Sequence, residues 1–134
     1  GDLPHLADQE YTYVAREQVP LVREVLAQLE RRFPAMAGYT DHQRERTAED
    51  IVHLLDHLAV ALYVDDDALF TAFVTWTAGI LTARDVPARS LRPALDALAA
   101  ELQDFPRARR LLDHARHALD ATLAPGGRTP GAPA

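Results

Sequence analysis

Apolar positions recur along this chain every three or four residues, and no stretch alternates with the period of two that marks a strand. The pattern predicts an all-α chain of about six helices. A short amphipathic segment over about 8–18 stops ahead of Pro20, which suits the first turn of a second helix running to Arg32 with Leu21, Val25, Leu26 and Leu29 on one side. Phe33 and Pro34 close it, and residues 38–41 read as a turn. Thr47-Ala-Glu-Asp50 has the spacing of a capping box ahead of the apolar run that begins at Ile51, so a third helix is expected through to about Val64.

Asp65, Asp66 and Asp67 break that helix and place a carboxylate at the start of a fourth, where the helix dipole favours negative charge. The fourth helix, 68–83, is apolar around much of its circumference through Leu69, Phe70, Phe73, Val74, Trp76, Ile80 and Leu81. It is expected to be the most buried element. After Asp85-Val86-Pro87 a fifth helix begins at Arg89 or Ser90 and carries Leu91, Leu95, Leu98 and Leu102. Pro106 opens a sixth with Leu111, Leu112, Ala115, Ala118 and Leu119 facing inward. The tail 124–134 is rich in Pro and Gly and reads as a linker or free end beyond a helical domain over 1–123.

A length of 134 residues supports one core rather than two, and 48% apolar with 25% charged residues is the balance of a folded chain. A net charge of -6 opposes a phosphate backbone, so nucleic acid is not an expected partner. The absence of cysteine excludes disulfides, thiolate metal sites, cysteine nucleophiles and thioether-linked cofactors. No apolar run reaches the roughly 18 to 20 residues that span a bilayer, and no basic-then-apolar leader opens the chain. A cytoplasmic protein without membrane contact is the default expectation.

On a helical wheel Arg46, Asp50, His53 and His57 fall within a sector of roughly 60°, well over about 100° from the sector holding Ile51, Leu55, Leu58 and Leu62. One face makes core, and the other combines a carboxylate acceptor, a guanidinium fork and two titratable imidazoles. The plainer alternative is that such a stripe is the solvated face of an amphipathic helix. His53 with His57 and His114 with His117, beside Asp56 and Asp113, have spacings a metal could use, although no Glu-x-x-His or His-Glu-x-x-His set accompanies them. Tyr39, Tyr63, Phe70, Phe73 and Trp76 are candidates for an aromatic wall, with core the favoured place for Phe70 and Phe73. No nucleophile elbow, glycine-rich phosphate loop or P-loop is present, so an enzyme is not expected.

Residues 47–66, Thr47-Ala-Glu-Asp-Ile-Val-His-Leu-Leu-Asp-His-Leu-Ala-Val-Ala-Leu-Tyr-Val-Asp-Asp66, resemble the long helix of phycocyanin and allophycocyanin subunits in the phycobilisome family. In that helix a chromophore-carrying cysteine is followed three places later by aspartate, and the helix closes on Gly-Asp. Residues 83–102, with Val86-Pro87 inside them, are similar to the family's Leu-Gly-Val-Pro turn and following helix, and residues 111–123 resemble its last helix. The resemblance covers 47–123 and implies a globin-like fold. Thr47 stands at the bilin-attaching cysteine, which rules out covalent attachment of the antenna kind; Asp50 matches the aspartate that binds pyrrole nitrogens, and Glu49 replaces an arginine.

What the resemblance implies is a sensory or signalling domain that holds a linear tetrapyrrole of the biliverdin type without a covalent bond, with haem as the second choice. Asp50 would accept pyrrole N–H groups, Arg46 would pair a propionate, and His53 or His57 would pack on the ring system or ligate a haem iron. Tyr63 and Trp76 complete the expected cofactor-binding set. The output would pass to a homodimer mate or to a fused or partner signalling protein. The alternative is a ligand-free globin-like module that dimerises or docks other proteins.

Overall fold

The computed structural model describes the backbone of residues 3–123 and the side chains of 9–122. Six α-helices form, α1 (Leu3–Arg16), α2 (Gln18–Arg32), α3 (Asp41–Val64), α4 (Asp67–Ala83), α5 (Leu91–Glu101) and α6 (Pro106–Leu123), with 3-10 turns at Pro34–Gly38 and Ala88–Ser90. There is no strand among the described residues, so the all-α expectation holds. No described helix is long and apolar enough to cross a membrane. The expected tail, 124–134, lies outside the described residues.

Local chemistry explains most of the boundaries. Pro20 falls within the first turn of α2, where its missing N–H leaves no helical bond unmade. The three aspartates between α3 and α4 divide the work. Asp65 ends α3 in the left-handed conformation at φ 58°, Asp66 Oδ1 accepts the N–H of Ala68 at 3.0 Å as N-cap, and Asp67 takes the guanidinium of Arg110 at 3.0 Å.

The third helix begins earlier than its apolar pattern predicts. Thr40 Oγ1 accepts from Gln43 N at 3.1 Å and Gln43 Oε1 accepts from Thr40 N at 2.8 Å, a reciprocal capping box one pattern upstream of Thr47-x-x-Asp50. The polar run between them contains good helix formers and no breaker, so the helix simply continues. The Thr47 hydroxyl, rather than capping, donates back to the Gln43 carbonyl at 2.9 Å.

The fifth helix packs between α2 and α6 and buries Leu91, Ala94, Leu95, Ala97, Leu98 and Ala99, a larger share of its residues than α4 buries. The expectation that α4 is the most buried element is therefore corrected. That helix packs on α6 and α3 through Phe70, Val74 and Ala78, while Trp76 on its outer side is 64% exposed. Its lack of charge misled the pattern because the polar positions are threonines that satisfy themselves locally. Thr75, Thr77 and Thr82 donate to the carbonyls of Thr71, Phe73 and Ala78 at 2.9–3.1 Å.

The first helix is held by a buried carboxylate. Glu10, 4% exposed, accepts the backbone N–H of Ala108 at 2.8 Å and that of Arg107 at 3.2 Å. These are two of the N–H groups that α6 cannot satisfy within itself, so α1 caps α6 across the fold.

Candidate functional site

Asp50, His53, Leu54 and His57 stand at i, i+3, i+4 and i+7 and so share a face of α3. Phe73, Trp76 and Thr77, at i, i+3 and i+4, share a face of α4. Where the two faces diverge they line a cleft of about 410 Å³, closed on the third side by Leu91 of α5. Four of the six residues expected to bind a cofactor, Asp50, His53, His57 and Trp76, are thus brought together on one surface.

Aromatic contacts shape its walls. The His57 ring lies on that of Phe73 with centroids 3.5 Å apart and planes 8° from parallel, and Phe73 meets Trp76 at 6.2 Å. Phe73 is therefore a cleft residue as well as a packing one, whereas Phe70 is wholly buried as expected. His57 Nδ1 lies 2.9 Å from the His53 carbonyl oxygen. A carbonyl only accepts, so this contact puts the proton of the neutral imidazole on Nδ1 and leaves Nε2 as the basic nitrogen, without a hydrogen bond among the described residues.

The carboxyl of Asp50 is held above its ordinary range. Partial desolvation of a carboxyl that is still exposed to solvent is the main cause, and Glu49 adds to it; His53, Arg46 and Arg84 oppose it.

A second lobe of about 540 Å³ opens on the other side of Asp50 and shares Asp50, Leu54 and Leu91 with the first. Its walls come from distant parts of the chain, among them Phe33, Met36, Tyr39, Thr47, Pro87 and Arg89. Only Tyr39 among these was marked by the sequence as a candidate wall residue. Thr47 was marked only as the counterpart of the bilin-attaching cysteine, and the others carry no local signal, because a turn residue becomes a wall only when separate elements meet.

The remaining expected residues sit elsewhere. Tyr63, 69% exposed, packs against Tyr11 of α1 with ring centroids 5.1 Å apart and lines neither lobe. Arg46 is exposed one turn before Asp50; it lies close enough to act on that carboxyl but is not part of either wall. The two histidine pairs do not converge on a metal site. His114 Nδ1 lies 3.8 Å from Asp67, and no cluster of three or more His, Asp or Glu suited to a metal ion exists among the described residues.

No protein-family model matches the chain, and no curated protein sequence matches it either.

Proposed function

We propose that this chain is a globin-like sensory module that binds a linear tetrapyrrole of the biliverdin type non-covalently in the cleft between α3 and α4, and passes the bound state to a fused or partner protein. One observation carries the reading. Asp50, which matches the phycobilisome-type pattern, lines a single cleft with His53 and His57 of the same helical stripe and with Trp76 of the aromatic set.

The donor set suits a bilin better than haem. The Asp50 carboxylate, exposed at the junction of the two lobes, is an acceptor for pyrrole N–H groups, which a linear tetrapyrrole presents and which an iron porphyrin has given up to the metal. The planar His57 and Phe73 pair and the Trp76 ring offer stacking surface to a conjugated plane. Haem remains the second choice, with the basic Nε2 of His57 as its candidate axial ligand.

Trp76 is the chain's one tryptophan, so its fluorescence reports on the cleft directly. Biliverdin is expected to quench that emission saturably and to gain a red absorption band, and Asp50→Ala is expected to weaken both. A titration without quenching or spectral change would refute the tetrapyrrole reading.

A second reading rests on α4. From Ala68 to Ala83 the helix carries no charged residue, yet Leu69 and Trp76 are exposed, which fits a ligand-free module that dimerises through this face. Light scattering on the unliganded protein separates the two, since a strict monomer at high concentration removes the dimer.

A further inference from the structure

The first lobe alone lies near the low end of the roughly 300–1,000 Å³ common for small-molecule sites, and the second lobe is the larger of the two. They meet at Asp50, Leu54 and Leu91, so a ligand longer than one lobe passes the carboxyl of Asp50 on its way into the other. Apart from Asp50, Tyr39 and the imidazoles of His53 and His57, Arg89 is the only ionisable side chain in either wall.

Six arginines are held in ion pairs: Arg31 with Glu24, Arg44 with Glu30, Arg92 with Asp96 and Asp120, Arg107 with Asp65, Arg110 with Asp67, and Arg116 with Asp96 and Asp113. Arg89, like Arg16, Arg23, Arg32, Arg46 and Arg84, makes no ion pair or side-chain hydrogen bond among the described residues, and of these six it alone lines either lobe. It stands exposed on the 3-10 turn Ala88–Ser90 at the rim of the second lobe. A guanidinium facing an apolar groove, with its fork unused, is suited to a planar carboxylate.

We infer that the ligand occupies both lobes and that Arg89 holds a carboxylate of it, making this site selective for acid tetrapyrroles over their esters. This rests on the tetrapyrrole reading above and assigns to Arg89 the role that the sequence pattern gave to Arg46. Arg46 and Arg84 bear on Asp50 from outside the walls, whereas Arg89 is itself part of one.

The test compares biliverdin with its dimethyl ester by Trp76 quenching, in the wild type, Arg89→Ala and Arg46→Ala. The wild type is expected to bind the diacid about tenfold more tightly than the diester, the difference of one charge-assisted contact. Arg89→Ala should abolish that preference by weakening the diacid alone, and Arg46→Ala should leave most of it. Equal binding of diacid and diester by the wild type, or an unchanged preference in Arg89→Ala, overturns the anchor while the tetrapyrrole site stands. Absence of binding by either pigment overturns both.

Occupancy of the second lobe has its own readout, because the chain has no cysteine and Thr47 lines that lobe. In Thr47→Cys, maleimide labelling is expected to slow at least about tenfold when biliverdin is bound, a protection of about 1.4 kcal/mol. Labelling at the same rate with and without pigment would show the second lobe empty and overturn the inference even where quenching is seen.

Discussion

Asp50 illustrates how a single side chain bears on both stability and binding. Its carboxyl is raised in the folded protein chiefly by desolvation, so between the unfolded and folded values the native state holds more protons than the unfolded one. Stability contributed by this group is fully present below the ordinary carboxylate range, falls as pH rises through it, and stays lower at neutral pH. Asp50→Asn is therefore expected to raise the melting temperature at pH 7 and to lose that advantage as the pH is lowered below the carboxylate range. Thermal melts of both proteins from pH 3 to pH 8 would decide it, and a variant less stable at pH 7 would contradict the desolvated carboxyl. A residue kept at a cost to the fold is what a binding site calls for. Pigment N–H groups favour the ionised form, so biliverdin affinity should strengthen as pH rises through the range in which Asp50 ionises.

At the scale of elements, the junction of α1 with α6 concentrates stability in one side chain. Glu10→Ala leaves the N–H groups of Arg107 and Ala108 buried without their acceptor, and a lost hydrogen bond to a charged group is worth about 1.5–3 kcal/mol. The urea midpoint should fall accordingly with its slope unchanged, and a loss within a few tenths of a kcal/mol would mean that water or another group takes over the cap. Elements of this chain were legible where the signal is local. Pro106 marks the start of α6, and the aspartates at 65–67 mark the break between α3 and α4. The start of α3 was not, because Thr40-x-x-Gln43 and Thr47-x-x-Asp50 compete and only the first carries both reciprocal bonds. The site follows the same rule. Asp50, His53 and His57 could be grouped because helical spacing alone puts them on one face, and Tyr63, roughly 140° around the helix from Asp50, was misplaced with them. Phe33, Arg89 and Leu91 reach the site only through tertiary packing, which no periodicity encodes.

For the whole molecule, binding and folding are linked, and that linkage separates a pigment in the cleft from one adhering to the surface. A ligand that binds only the folded chain stabilises it by about 2.7 kcal/mol at a hundredfold excess over its dissociation constant, and a domain of this size shifts by several degrees per kcal/mol. Saturating biliverdin should therefore raise the melting temperature by roughly 5–15 °C. Leu98 is wholly buried on α5, two turns from the cleft residue Leu91, and Leu98→Ala should cost about 3 kcal/mol through the cavity it leaves. Because Leu98 touches the fold and not the cleft, this weakened protein is expected to keep nearly the full pigment-induced shift, whereas Asp50→Ala, relieved of the same carboxyl as Asp50→Asn, should melt at or above the wild-type temperature without pigment and gain little with it. Scans of the three proteins with and without biliverdin make the distinction. Equal shifts in all three would place the pigment away from Asp50, since a change at the site it occupies must alter its differential affinity for folded and unfolded chains.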